Sequence, residues 1–273
     1  MKATIADQLA DTQEAFDAVA VDYDGPLGNN ALVQAMRQRL LAAVLHSAPP
    51  DSGLLDLGCG TGLDAVWLAQ RGFRVTAIDW SAAMVERTRQ RTVDAGLDGA
   101  IAVHHLGVHE LERLDEPPFD AAYSNLGVLN CLPDLSPNAG MIAQRLRRGG
   151  ILVASVIGRV CPWEVAIAIK KGQRSRASAR WAKGIVPVPL NGRTVWTRYY
   201  TPSEFTGIFE RAGFRRRSLR TLGLLVPPPY MLAFAQRHPR AISALQTFED
   251  RVAGWPGIRG WGDHFLIVME RDG

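Results

Sequence analysis

The segment Leu54–Gly62, with the sequence LLDLGCGTG, constrains this chain of 273 residues more than any other feature. A short apolar run contains an acid, Asp56, and glycines follow at the alternate positions 58, 60 and 62. Glycine is needed where the backbone adopts positive φ values or comes close to a ligand. A helix that starts next offers its free N–H groups to that ligand. The segment therefore predicts a buried strand, a tight turn and a helix N-terminus that together bind a ligand.

Strand-like and helix-like segments alternate between residues 53 and 158. The predicted strands are Leu54–Leu57, Phe73–Asp79, Ala100–Leu106, Phe119–Asn125 and Ile151–Gly158, and the predicted helices are Leu63–Arg71 and Ala82–Ala95. Ser81 is placed to cap the second helix. Strands that alternate with helices indicate a parallel sheet wound by right-handed crossovers, so we expect a doubly wound α/β fold.

The remaining residues divide into three further parts of one expected domain over residues 1–273. Residues 1–48 predict an N-terminal helical lid of two helices, broken at the Asp-Gly-Pro sequence of residues 24–26. Residues 159–200 lose the alternation, are rich in Trp, Arg and Pro, and are expected to form a cap. Residues 201–273 resume order with a helix capped at Thr201, a strand through Arg215–Leu222, a helix near Ile242–Val252 and a last strand at His264–Met269.

Composition excludes several classes of protein. No run approaches the ~18 apolar residues of a membrane span, and the acidic N-terminus lacks the features of a signal peptide. The three cysteines match no zinc or disulfide framework, which favours a reducing, cytoplasmic location and predicts no metal site. A net charge of +4 does not by itself imply a nucleic-acid partner.

Charge is unevenly distributed along the chain. Two stretches are basic and contain no acid: Lys170, Lys171, Arg174, Arg176, Arg180 and Lys183 form the first, and Arg211, Arg215, Arg216, Arg217 and Arg220 form the second. Each is either a solvated face or part of a collar that attracts an anionic or membrane-associated substrate.

Three ligand classes use a glycine-rich turn between a strand and a helix. A nucleoside triphosphate loop needs Gly-Lys-Ser/Thr, but Leu63 and Asp64 follow Gly62 here. The dinucleotide fingerprint needs a third small residue where Leu63 stands, which weakens the prediction of a nicotinamide or flavin oxidoreductase.

The pattern instead resembles the first motif of class I S-adenosylmethionine-dependent methyltransferases. The resemblance extends to Asp79 at the end of the second strand, to Phe119–Asn125 as the fourth strand, and to the turn 146–150 before the fifth. It implies a Rossmann-like sheet of order 3-2-1-4-5-7-6 with strand 7 antiparallel. It also implies S-adenosyl-L-methionine as methyl donor and S-adenosyl-L-homocysteine as product.

The resemblance implies a set of cofactor-binding residues, in which Asp79 grips the two ribose hydroxyls. The set comprises Asp56, Gly58, Cys59, Gly60, Asp79, Trp80, Leu106, Gly107, Asn125 and Leu126. Many relatives carry an acid for the adenine amino group after the third strand, and this chain has none there. The backbone of Leu106 and Gly107 is expected to serve the adenine instead.

The acceptor is predicted to be a small molecule that is apolar, aromatic or anionic. Asn125-Leu126-Gly127 replaces the Asn/Asp-Pro-Pro-Tyr/Phe motif of nucleobase N-methyltransferases, which argues against nucleic acid. Tyr23, Trp163, Tyr199 and His264 are candidate pocket residues, with His264 also a candidate base, and no catalytic residue is assigned. O-methylation is favoured, while a non-catalytic cofactor-binding protein stays an open alternative.

Overall fold

A seven-stranded sheet forms the centre of the computed structural model, which describes residues 3–26, 28–172 and 178–272. The strands are β1 (Gly53–Leu57), β2 (Arg74–Asp79), β3 (Ile101–His105), β4 (Phe119–Ser124), β5 (Leu146–Ile157), β6 (Ile185–Leu190), β7 (Arg193–Arg198), β8 (Phe214–Leu222) and β9 (His264–Arg271). Their order in the large sheet is β3-β2-β1-β4-β5-β9-β8, and β6 and β7 pair separately. Because β8 and β9 are the sixth and seventh strands of this sheet, the predicted order is confirmed.

Strands β1 to β5 run parallel, and β9 is antiparallel to both of its neighbours. The central strand β1 is buried on both faces, and its Leu54, Leu55 and Leu57 are fully enclosed. A continuous apolar run of this kind is typical of a strand with helices on both sides of the sheet.

Helices cover both faces of the sheet. They are α1 (Ile5–Val19), α2 (Ala31–Ser47), α3 (Leu63–Ala69), α4 (Ala82–Asp94), α5 (Leu135–Arg145), α6 (Pro162–Lys170), α7 (Pro202–Arg211), α8 (Leu232–Arg237) and α9 (Pro239–Val252). One core cluster joins α5 and α7 to the sheet, and a second joins α2 and α3 to the other face. No helix in the described part of the chain is both long and apolar enough to cross a membrane.

Local sequence signals explain where several helices begin. The Ser81 hydroxyl accepts a hydrogen bond from Met84 N, as expected of a cap. Thr201 and Glu204 form a reciprocal capping box at the start of α7. The chain between α1 and α2 turns where the Asp-Gly-Pro break was predicted.

The region 159–200 contains more regular structure than its sequence suggested. It forms α6 and a two-stranded antiparallel hairpin of β6 and β7. Asn191 and Gly192 join the two strands with φ values of 47° and 81°, which are typical of a tight hairpin turn. Arg174 and Arg176 of the first basic stretch lie outside the described residues. Strand β5 also begins at Leu146, earlier than predicted, with an irregularity in its pairing to β4.

A buried guanidinium joins this region to the sheet. Arg180 donates hydrogen bonds to both carboxylate oxygens of Glu164, at 2.7 and 2.6 Å, and to Asp263 Oδ1 at 2.5 Å. Its Nη1 donates to the carbonyl oxygens of Gly158 and Asp263. Burial alone raises the pKa of the Asp263 carboxyl, but the adjacent His264 and Arg180 lower it well below its usual range.

Replacing this guanidinium tests its structural role. Arg180→Met removes the guanidinium from the buried Asp263 carboxylate and from the half-buried Glu164, so the free energy of unfolding should fall by about 3–5 kcal/mol. Urea denaturation followed by circular dichroism measures the change. Lys183→Met, an exposed substitution in the same segment, is the control and should change it by less than about 0.5 kcal/mol. A loss below about 1 kcal/mol for Arg180→Met would contradict this role.

Candidate functional site

A cavity of about 320 Å³ lies at the carboxyl ends of β1, β2 and β4. Its lining includes the glycine turn after β1, the end of β2 and the turn after β4. Open α/β sheets bind their ligands at this edge, where the strand order reverses. The position of the cavity therefore follows from the strand order alone.

The glycine turn forms the floor of the cavity. Gly58 N and Cys59 N donate hydrogen bonds to the Ile78 carbonyl at 3.0 and 2.9 Å, which fixes the turn against β2. Gly60 has a φ of +55°, and a Cβ at this residue would meet no atom within 4 Å. The turn therefore leaves an open cradle, as a ligand in close contact with the main chain requires.

Asp79 connects the floor to the next helix. Its Oδ2 accepts from Gly60 N at 2.8 Å, and its Oδ1 accepts from Ser81 N at 2.8 Å. Burial raises the pKa of the Asp79 carboxyl, and these two hydrogen bonds act in the opposite direction. The carboxylate thus lines the cavity while it also holds the glycine turn in place.

Aromatic rings form one wall beside Asp79. Trp80 packs edge-to-face against His109, with ring centroids 4.6 Å apart. The indole Nε1 of Trp80 is buried without a hydrogen-bond partner among the described residues. The wall thus offers a flat surface and a free donor.

A buried polar network supports the opposite wall. Asp64, at the start of α3, accepts from Arg37 Nη1 at 2.5 Å and from Asn125 Nδ2 at 2.9 Å. Burial alone lowers the pKa of Arg37, but Asp64 raises it overall, so the guanidinium stays charged. Arg37 lines the cavity, and its Nε is a second buried donor without a partner in the described residues.

The turn after β4 holds a non-glycine residue in a strained backbone conformation. Leu126 has a φ of +53°, which L residues rarely adopt. Its N–H donates to Asn125 Oδ1 at 2.9 Å and to Ser155 Oγ at 2.7 Å. Strain of this kind persists where the surroundings enforce it, and it is concentrated at functional sites.

The N-terminal helices close over the cavity. Asp17 Oδ1 accepts from Ser81 Oγ at 2.5 Å and from Ala83 N at 3.1 Å, at the start of α4. Asp24 accepts from Thr61 Oγ1 at 2.7 Å and pairs with Arg91 at 2.5 Å. Two carboxylates of the N-terminal segment therefore bind the elements that form the cavity floor.

The β6–β7 hairpin completes the cover. Trp196 Nε1 donates to Asp11 Oδ2 at 2.8 Å, and Trp196 N donates to Thr12 Oγ1 at 3.1 Å. Together the hairpin and α1 give the cavity a largely apolar wall. Its apolar members from α1 and the hairpin are Leu9, Phe16, Val188, Pro189, Leu190 and Val195, and the chain after β4 and the end of β5 add Val128, Leu132 and Ile157.

The structure brings most of the predicted site residues together. Those that line the cavity are Tyr23, Gly58, Cys59, Gly60, Asp79, Trp80, Leu106, Asn125 and Leu126. The Leu106 N–H donates to the Asp79 carbonyl at 3.0 Å, so this amide is not free for an adenine. Burial raises the pKa of the Cys59 thiol well above its usual range, so the thiol is a poor nucleophile.

Five predicted residues lie outside the cavity lining. Asp56 is buried beneath the turn, where it accepts from the Tyr123 hydroxyl at 2.8 Å, and burial raises its pKa well above the usual range. Gly107 N donates to Glu110 at 3.2 Å. Trp163 packs against Phe234, Tyr199 lies beside the Arg180 guanidinium, and His264 Nδ1 lies 3.0 Å from Asp263.

Part of the site was not predicted from the sequence. Arg37 and Asp64 belong to no recognisable sequence motif, because the two residues that pair are 27 positions apart. The hairpin residues were recognisable, since Asn191-Gly192 between two apolar stretches is a strong turn signal. The three cavity-lining residues of β6 follow an unusual pattern in which prolines alternate with apolar residues.

One group of potential metal ligands occurs in the described residues, formed by Cys161, Glu164 and Asp263. Both carboxylates bind Arg180, so a guanidinium already occupies the position that a cation would take. The group is a structural ion pair outside the cavity.

Comparison with known proteins agrees with the geometry of the cavity. The family described as "Methyltransferase domain" matches residues 55–154. A ubiquinone biosynthesis O-methyltransferase of Alkalilimnicola ehrlichii is 30% identical over 209 residues, which cover 76% of this chain and 79% of that protein. The chain belongs to the class I S-adenosylmethionine-dependent methyltransferases. It is therefore an enzyme whose methyl donor is S-adenosyl-L-methionine, and the oxidoreductase alternative finds no support.

Two further relatives show how widely the resemblance extends. A malonyl-[acyl-carrier protein] O-methyltransferase of Serratia marcescens is 32% identical over 52% of this chain. The matched region covers about half (51%) of that protein. The crystal structure of an S-adenosylmethionine-dependent methyltransferase from Mesorhizobium loti superposes with a TM-score of 0.57 at 22% identity, covering 88% of this chain and all of that one. The latter likeness supports the fold.

The closure of the N-terminal segment can be tested by hydrogen exchange. Asp24→Asn removes the ion pair with Arg91 and weakens the bond to Thr61, so backbone amides around residues 20–26 should exchange about 5- to 100-fold faster. Mass spectrometry of the labelled protein measures the rates. Asp22→Asn, on an exposed neighbour, is the matched control and should leave them unchanged. Equal rates in both variants would show that Asp24 does not hold the segment closed.

Proposed function

We propose that this methyltransferase acts on a hydroxyl oxygen of a small, uncharged and largely apolar acceptor. The observation that carries the proposal is the wall formed by α1, the β6–β7 hairpin and the turn after β4. This wall contains apolar side chains and neutral polar ones, such as Gln13 and Thr197. An enclosed site of this composition suits a small apolar molecule oriented by a few polar groups.

The cavity supports a specific placement of the methyl donor. Asp79 is the acceptor for the ribose hydroxyls, since a carboxylate binds two hydroxyl donors well. Trp80 and Leu106 line the adenine side. Arg37 is the partner for the carboxylate of the methionine part, because its guanidinium is charged and its buried Nε has no partner among the described residues.

Charge in the cavity is confined to the region assigned to the donor. Among the described residues that line it, the charged side chains are Arg37, Asp64 and Asp79. The Arg37 guanidinium is assigned to the carboxylate of the donor, so it does not serve the acceptor. None of the lysines or arginines of the two basic stretches lines the cavity. An anionic acceptor would therefore lack a partner, which supports an uncharged one.

The titratable groups in the cavity indicate how the acceptor loses its proton. Burial raises the pKa of the Tyr23 phenol to about 12 and that of the Cys131 thiol to about 12. Burial lowers the pKa of His109, which packs against Trp80 on the adenine side. The sulfonium supplies the activated methyl group when the donor is bound, so alignment is the main task of the protein. We infer that the acceptor is a hydroxyl acidic enough to ionise without a dedicated base.

The relatives give separate support for oxygen as the accepting atom. The ubiquinone biosynthesis O-methyltransferase of Alkalilimnicola ehrlichii matches 76% of this chain, and that of Paramagnetospirillum magneticum matches 61% of it. These names describe the relatives, and the acceptor of this chain is inferred from its own cavity.

The donor placement predicts that two substitutions act on different parts of the ligand. Asp79→Asn should weaken the binding of both S-adenosylhomocysteine and methylthioadenosine, by about 10- to 100-fold, because both contain the ribose. Arg37→Gln should weaken S-adenosylhomocysteine to a similar extent and leave methylthioadenosine unchanged, since the latter lacks the carboxylate. Isothermal titration calorimetry measures both affinities. Asp94→Asn, on the exposed end of α4, is the control.

The affinities for methylthioadenosine test the assignment of Arg37 to the carboxylate and of Asp79 to the ribose separately. If Arg37→Gln weakened both ligands equally, Arg37 would act through the fold and not through the carboxylate. If Asp79→Asn changed neither affinity, the ribose assignment would be wrong.

A matched set of acceptors tests the proposed function. Purified protein with S-adenosylmethionine should methylate an alkyl-substituted phenol, and it should show at least about tenfold lower kcat/KM on the same ring carrying a carboxylate or an amine. Its kcat should rise with pH towards the pKa of the phenol. Mass spectrometry identifies the methylated atom. A preference for the carboxylate, the amine or a malonyl thioester would refute an uncharged oxygen acceptor.

A further inference from the structure

Five large apolar side chains are exposed on and around α6, on a surface separate from the cavity lining. Ile169, Trp181, Tyr230, Phe234 and Trp261 have exposed fractions of 66%, 59%, 60%, 39% and 49%. We call these five residues the aromatic patch. Single exposed apolar residues are common, whereas a group that contains two tryptophans and a tyrosine usually marks an interaction site.

Contacts show that the segments that carry the patch meet at α6. Trp163 of α6 packs on Phe234 with ring centroids 6.4 Å apart. Val160, just before α6, pairs with Trp261 in an isolated bridge. These two contacts bring residues 229–240 and 254–262 to the same end of α6.

The third segment reaches the same place through the buried ion pair. Trp181 directly follows Arg180, which binds Glu164 in the first turn of α6. Burial raises the pKa of the Tyr230 phenol, and the Glu164 carboxylate raises it further. Ile169 lies on α6 itself. The patch is thus one neighbourhood built from four segments.

The same four segments are strongly basic. Residues 160–172, 178–184, 229–240 and 254–262 contain one acid, Glu164, and its charge is balanced by Arg180. The cations of these segments that form no ion pair within the described residues are Lys170, Lys171, Lys183, Arg237, Arg240 and Arg259. Exposed apolar side chains and uncompensated cations in the same segments are complementary to a partner that offers both apolar and anionic surface.

We propose that the aromatic patch binds the surface of a membrane that contains anionic lipids. Tryptophan and tyrosine favour the lipid–water interface, and lysine and arginine beside them are attracted to anionic headgroups. A protein partner fits less well, because lysine is depleted in the cores of protein interfaces. The proposal does not depend on the acceptor, since membrane binding needs no methyl transfer.

Vesicle sedimentation tests this proposal with the full chain. The protein should bind vesicles of phosphatidylcholine with 30% phosphatidylglycerol, a composition chosen for the test, and bind pure phosphatidylcholine much less. The double variant Lys170→Gln/Lys171→Gln should weaken binding to the anionic vesicles about 30-fold, on the basis of two headgroup attractions. The double variant Trp181→Ser/Trp261→Ser should weaken it about tenfold.

Matched controls separate the patch from general charge and from misfolding. Arg74→Gln/Arg148→Gln removes two exposed cations at the opposite edge of the sheet and should leave vesicle binding within about twofold. Thermal unfolding and the affinity for S-adenosylhomocysteine should match the wild type in every variant.

Three results would overturn the proposal. The first is a wild-type protein that does not bind anionic vesicles, and the second is equal binding by the wild type and both patch variants. The third is evidence that the patch mediates protein contacts instead. In that case Trp181→Ser/Trp261→Ser would abolish self-association, or binding to an acidic carrier protein, and leave vesicle binding unaffected.

Discussion

The site depends on the hydrogen bonds that Asp79 forms with the main chain on either side of it. One oxygen holds the glycine turn after β1, and the other holds the start of the segment that leads into α4. The Ser81 side chain then binds Asp17 of the N-terminal helix. A single carboxylate therefore connects the floor of the cavity, the neighbouring helix and, through one hydroxyl, the cover.

A second polar network stabilises the other side of the cavity. Asp64 joins Arg37 of α2 to Asn125 after β4, and Asn125 and Ser155 together hold Leu126 in its strained conformation. Because every member of this network is buried or half-buried, it specifies the position of the turn after β4 more tightly than apolar packing would. Donor and acceptor are thus expected to meet between two rigid walls.

The sequence predicted the sheet and the donor side of the cavity because both depend on local signals. Alternating strand-like and helix-like segments indicate a parallel sheet, and glycines at fixed spacing mark the turn at Gly58 and Gly60. The strand order and the role of Asp79 came from the resemblance to class I methyltransferases. The Arg37–Asp64 pair could not be predicted, since it depends on how α2 packs against α3. The candidates Trp163, Tyr199 and His264 lie outside the cavity lining, where they contact Phe234, Arg180 and Asp263 instead.

Among the described strands, β6 and β7 pair only with each other and form a hairpin that is separate from the seven-stranded sheet. Substitutions in Val188, Leu190 or Val195 can therefore reshape the space above the donor without altering a strand of the main core. An ancestral enzyme built in this way could acquire new acceptors by changes in one hairpin, while the machinery that holds the donor stayed the same.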